Sequence, residues 1–152
     1  MDLHAKLETL GLKFPQVSTP GGSYVSVNIR GYIAYVAIQF PIFNEEYLYL
    51  GRLGQDLTTE EGYKAAQLCG LNILAQIDVK VGFDKILGLN HIDAYYQSAP
   101  DWDEAPKVVN GASDLFVNAL DEAGQHTRAI FGVHNLPRNF SVGITSSFTL
   151  KG

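Results

Sequence analysis

The sequence predicts an α+β fold: a mixed sheet with two helices packed on one face and a short helix in front. Three observations carry this. Strand-like runs and two long stretches of helical character follow one another in the order βββαβαββ. The chain of 152 residues is long enough to bury a core without disulfides or metals. Hydrophobic residues make up 46% and charged residues only 18%, which excludes a disordered chain. A surface so thinly charged points to cover by another subunit.

A single domain over 1–152 is expected, with 1–13 as an N-terminal helical extension. Leu3, Leu7 and Leu10 fall on one helical face, and Gly11 suits the stop. Residues 14–23, with two prolines and two glycines, read as a loop. In 25–30, Val25, Val27 and Ile29 alternate with Ser26, Asn28 and Arg30, the pattern of a half-buried strand that turns at Gly31. The next run, 32–40, is apolar on both faces and reads as a central or partner-covered strand. A short edge strand is expected at 47–50.

Thr58-Thr59-Glu60-Glu61 starts a helix that runs to about Val79, with a hydroxyl to cap it and acids near its positive end. Its small residues Ala65, Ala66, Gly70 and Ala75 suit close packing. Residues 86–96 form a strand and 100–104 an acidic loop. Pro106 opens a second helix with the stripe Val108, Ala112, Leu115, Ala119 and Ala123, closed by Gly124. Strands at 127–134 and 141–150 finish the chain.

Composition also excludes chemistries. Eleven basic residues against sixteen acidic give a net charge of −5 with no basic cluster. Nucleic-acid affinity rests on neutralising phosphates, so this chain is a poor candidate for it. A lone cysteine, Cys69, excludes an intrachain disulfide and a cysteine-based zinc site, and in an apolar helix it reads as core. The four histidines show no ligand spacing, so no metal and no other cofactor is expected. There is no secretory leader pattern and no window near the ~20 apolar residues that span a bilayer. A soluble cytoplasmic protein without a membrane partner is expected.

Arg128 stands apart. It follows Thr127 at the start of a strand and shares a face with Ile130 and Gly132, which leave space above it. Two readings stay open on this local pattern: an arginine snorkelling to solvent, or a fork that grips a ligand carboxylate through two parallel hydrogen bonds.

The run Thr127-Arg128-Ala129-Ile130-Phe131-Gly132-Val133 with Leu136-Pro137 resembles the C-terminal signature of the RidA/YjgF family. Gly31-Tyr32-Ile33-Ala34-Tyr35-Val36, ending Gln39-Phe40-Pro41, is similar to its second strand. Gly54-Gln55-Asp56-Leu57-Thr58 and Val109-Asn110-Gly111-Ala112-Ser113-Asp114-Leu115 are similar to a longer branch of that family. The resemblance implies a chorismate-mutase-like fold, a homotrimer, and ligand clefts between subunits that take a small carboxylate. Many members hydrolyse reactive 2-imino acids or their enamines to 2-keto acids and ammonia.

By the same resemblance Arg128 is the candidate catalytic and carboxylate-binding residue. Tyr24, at the start of the first strand, lines the cleft, and Asn110 comes from the second helix of the adjacent subunit. Three positions depart from the pattern. The usual Ser-Gly of the second strand is Ala37-Ile38, the frequent cysteine after the arginine is Ile130, and the water-directing glutamate of the last strand is Gly143. Ala37, Ile38 and Thr145, two residues beyond Gly143, complete the candidate substrate-binding set.

Imine hydrolysis needs an aimed water and a group to move its proton, and loss of a positioned base typically costs a factor of ~10² to 10⁴. Glycine supplies neither, although the strand face of Ser141, Thr145, Ser147 and Thr149 reads as small and polar enough to accept a glutamate. The first reading is thus a trimeric carboxylate-binding protein of weak or unidentified activity. The second is an active imine/enamine deaminase using Thr145 or backbone groups. The third, an endoribonuclease or translation inhibitor as some members are labelled, has the net charge against it.

Overall fold

The computed structural model describes residues 2–152. Helix α1 (Leu3–Thr9) is capped by Asp2, whose carboxylate accepts the Ala5 amide at 2.8 Å. Leu3 and Leu7 are buried, but Leu10 lies past the last turn and is exposed, so the apolar face is two leucines rather than three.

Strands β1 (Val27–Arg30) and β2 (Ile33–Gln39) form the expected hairpin, turning through the left-handed Gly31. β1 begins two residues later than the alternation suggests. Val25 and Tyr24 therefore lie before it, and both are exposed. The strand expected at 47–50 is different: β3 (Ile42–Phe43) pairs with β4 (Glu46–Tyr47) in a ribbon separate from the main sheet. Positive φ at Asn44, Glu45 and Tyr49 bends the chain twice within six residues, and such backbone cannot continue a strand.

Helix α2 (Thr59–Lys80) starts on a reciprocal cap. The Glu61 amide donates to Thr58 Oγ1 at 3.1 Å, and the Thr58 amide donates to Glu61 Oε1 at 3.0 Å. The Thr58 amide, then its hydroxyl, hold the Glu61 carboxyl below its usual range. Ala65, Ala66, Gly70 and Ala75 are all buried.

After β5 (Ile86–Tyr96), helix α3 (Ala105–Leu120) crosses over to β6 (Thr127–Gly132), which pairs with β5 in parallel. The helix stops at Leu120 and tightens into a 3₁₀ turn, Asp121–Gly124, so Ala123 leaves the α-helical stripe. β7 (Val142–Leu150) closes the sheet in the order β1-β2-β7-β5-β6, antiparallel except between β5 and β6.

α2 and α3 pack together against one face of this sheet. Ala34, Val36, Ile92, Ala94, Ile144 and Phe148 meet Ile73, Leu74, Ile77, Leu115 and Phe116 there, all buried. The helices touch closely at Gly111, where an added Cβ would stand 2.0 Å from the Tyr63 carbonyl oxygen. Among the described residues, no helix is long and apolar enough to cross a membrane.

Candidate functional site

β6 is an edge strand, and bridged residues share a face. The pairing of Arg128 with Ile92 therefore turns Arg128 toward the helix side, where α3 lies beside it. Arg128 Nη1 donates to Asn110 Oδ1 at 2.8 Å and to Ser113 Oγ at 3.1 Å, and Nη2 donates to the Pro106 carbonyl at 3.4 Å. Asn110 and Ser113 reach it together because they lie three residues apart on one helical face. Asn110 and Arg128 thus belong to the same chain. The expectation that Asn110 is supplied by an adjacent subunit is corrected here, because α3 is the crossover to β6 and must lie beside it.

The network continues behind Ser113. His126 Nε2 lies 2.9 Å from Ser113 Oγ, and His126 Nδ1 lies 2.7 Å from the Gly124 carbonyl oxygen. A carbonyl only accepts, so in the neutral ring Nδ1 carries the proton and Nε2 accepts from the Ser113 hydroxyl. That leaves the Ser113 oxygen to accept from Arg128, and every donor in the chain points away from the guanidinium.

A guanidinium has five N–H donors. Three of those on Arg128 go to neutral oxygens. Nε–H and one Nη2–H have no acceptor among the described residues, and these nitrogens bound one edge of the guanidinium. A carboxylate takes up such an edge through two parallel bonds. The ion pairs among the described residues join His4 to Asp78, Lys6 to Asp121, His91 to Asp93 and Lys107 to Glu104, so none neutralises Arg128.

Tyr24, Ala37 and Ile38 come together elsewhere. They line a cleft of about 310 Å³ with Tyr47, Arg138 and Phe140. β7 and β5 lie between β2 and β6 in the sheet, and three strand spacings amount to roughly 14 Å. One chain therefore does not bring Arg128 to this cleft. A hollow of about 530 Å³ beside α1, lined by His4, Leu7, Glu8 and Phe14, is larger but holds none of the candidate residues. Thr145 joins neither group. It pairs with Asp93 on the sheet face opposite to Arg128.

Gly143 is not on an open polar face. It is buried, and a Cβ there would meet Phe40 Cε1 at 2.6 Å and Ile38 Cδ1 at 2.8 Å. Phe40 is itself stacked on Phe140 with ring centroids 4.4 Å apart. Ser141 is buried too, its hydroxyl donating to the Tyr49 carbonyl at 2.6 Å. A bulge between Val36 and Gln39 carries Ile38 over the last strand. The departures at Ile38 and Gly143 are thus one packing solution: hydrocarbon occupies the space a glutamate would need.

Cys69 is core. It is fully buried, and burial pushes its thiol above the usual range, the opposite of what an activated nucleophile needs. Sequence reasoning passed over Ser113 and His126, although the Asn110–Ser113 spacing was a usable signal. Arg138 and Arg52 gave none. Arg52 proves structural, donating to the Ser98 and His134 carbonyls at 3.2 and 2.8 Å and tying two loops together.

Residues 4–148 match the family model described as "YjgF/chorismate mutase-like, putative endoribonuclease". Protein TCP17 of Trypanosoma cruzi is 33% identical over 149 residues, 97% of this chain and 93% of that protein. A Shewanella oneidensis protein solved under the same endoribonuclease label is 31% identical with a TM-score of 0.95, covering 99% of this chain and 100% of that one. The Agrobacterium tumefaciens protein Atu1372 is 32% identical with a TM-score of 0.92, covering 98% of this chain and 92% of that one.

Proposed function

The chain belongs to the RidA/YjgF family, and from that premise we propose that it binds a small carboxylate of the 2-keto or 2-imino acid type through Arg128, with weak catalytic activity. The observation that carries this reading is the unused edge of the Arg128 guanidinium, a cation with only neutral partners among the described residues. The ligand cleft forms between subunits of a homotrimer, where Tyr24, Ala37 and Ile38 of one subunit meet Arg128 of the next. Separation of the two groups within one chain supports this, as does the apolar surface left on the open sheet face. Tyr35 is 52% and Phe131 46% exposed there. The unpaired Cys69 suits a reducing, cytoplasmic setting.

Catalysis is weak because Phe40 and Ile38 occupy the space of the water-directing carboxylate. Calorimetry with a panel of 2-keto acids tests the reading. At least one ligand binds, and Arg128→Lys weakens it about tenfold or more, since a charge-assisted contact is worth roughly 1.5–3 kcal/mol. Unchanged affinity in the lysine variant makes the arginine structural and ends this reading.

One observation favours a second reading, an active imine deaminase. The Ser113 hydroxyl beside Arg128 is bonded to a basic imidazole nitrogen of His126, which could accept a proton in place of the absent glutamate. Wild-type turnover of 2-aminoacrylate-type imines matching a glutamate-bearing relative would promote this reading.

A further inference from the structure

The cleft beside Tyr24 holds a charge that a monocarboxylate leaves unused. Arg138 is the one charged residue among those lining it; the walls are otherwise aromatic, aliphatic and neutral polar. Its partners are neutral as well. Nη1 donates to the Tyr47 phenol oxygen, and the guanidinium lies 5.6 Å from the centre of that ring. No acid among the described residues pairs with it.

The backbone holds this arginine in place. Arg138 and Asn139 are both left-handed, with φ of 55° and 62°, a conformation that costs energy in residues other than glycine. Asn139 is tied on two sides: its carbonyl accepts the Gly51 amide at 2.8 Å, and its side-chain oxygen accepts from Gln97 Nε2 at 2.9 Å. The Tyr47 hydroxyl and ring set the exposed guanidinium at the rim of the cleft. In a chain of net charge −5, a cation at the rim of a cleft with no acid partner among the described residues favours an anionic ligand group there.

We propose that the ligand is a dicarboxylate, with its 2-keto or 2-imino acid end on Arg128 of one subunit and its distal carboxylate on Arg138 of the next. This rests on the carboxylate reading above and names the substrate class. The cleft, at about 310 Å³, is within the range of small-ligand pockets and leaves room for the distal half of such a molecule. Phe40, Phe140 and Ile38 would line its carbon chain.

Calorimetry with 2-oxopentanoate and 2-oxoglutarate tests it, since the two probes share a five-carbon 2-keto acid skeleton and differ in the terminal carboxylate. The wild-type protein binds 2-oxoglutarate about tenfold tighter or better. Arg138→Gln abolishes that preference and leaves 2-oxopentanoate within about twofold of wild type, and Arg138→Lys keeps part of it. Arg128→Lys weakens both probes. Equal wild-type affinities that Arg128→Lys still lowers overturn the dicarboxylate assignment and leave the carboxylate reading standing. So does a preference that survives Arg138→Gln, or a loss that falls equally on both probes. Binding of neither probe, or indifference to Arg128→Lys, overturns both. Melting temperatures of the variants, with Arg138 exposed and its substitution expected to leave the fold intact, separate lost binding from lost structure.

Discussion

The two faces of the five-stranded sheet are built from the same strands and end in different states. On the helix side, Ala34, Val36, Ile92, Ala94, Ile144 and Phe148 are all 3% exposed or less. On the other side, Tyr35, Tyr95 and Phe131 lie among Asn28, Asp93, Thr145 and Ser147, and among the described residues no helix packs over them, with Tyr35 and Phe131 exposed. The covered face is a finished core at its centre, and only at the β6 edge, where Arg128 meets α3, does it carry part of the proposed site. The open face carries stacked rings, Tyr95 on Phe131 with centroids 5.3 Å apart, that need a second surface to be buried. The difference teaches that folding and assembly are divided here. The chain folds on one face, and its proposed site is completed only from outside.

The contrast breaks most sharply at the core. Phe148→Ala is expected to cost about 3–5 kcal/mol in chemical denaturation, as for other fully buried phenylalanines. A loss under ~1 kcal/mol would mean the helix face is not the folding core. Gly143→Glu comes next, with an expected loss of about 1–3 kcal/mol from overpacking against Phe40 and Ile38, and no gain in imine hydrolysis. Adding Ile38→Gly clears the 2.8 Å contact and should recover part of that stability. A fully stable single variant would contradict the filled pocket.

On the open face, Tyr35→Ser should change the stability of an isolated chain by no more than about 0.5 kcal/mol. It should nevertheless shift sedimentation at micromolar concentration away from the mass of three chains expected of the wild type. The smallest effect is expected at Glu104. Bonds from the Thr59 hydroxyl and then Lys107 hold its carboxyl below the ordinary value of 4.5. A lowered folded pKa contributes stability above the ordinary value that is lost as pH falls through the folded one. Glu104→Gln should therefore narrow the gap in melting temperature between about pH 6 and pH 3. An unchanged gap would place the acid sensitivity elsewhere.

Local signals account for what was legible. The Thr58–Glu61 cap, the small residues of α2 and the turn at Gly31 are set by neighbours within a few residues, and each formed as the sequence indicates. The β3–β4 ribbon was not legible, because two residues per strand leave no alternation to read. Nor was the burial of Gly143, which depends on Phe40 and Ile38 reaching it across a bulge from more than a hundred residues away in sequence. Of the candidate site, Arg128 was legible as an arginine beside small residues. That Asn110 meets it within one chain follows only from the crossover of α3. Arg138 depends on a left-handed backbone that no local motif announces.

The most direct test of the central claim is a crystal structure of the protein grown with a 2-keto acid. The ligand carboxylate is expected on the Nε–Nη2 edge of Arg128, with Asn110 and Ser113 still bonded to Nη1 and Tyr24 of a second chain facing the ligand. A ligand seated in the Tyr24 cleft with the Arg128 edge bare, or an Arg128 edge closed by a carboxylate of the protein itself, would contradict it.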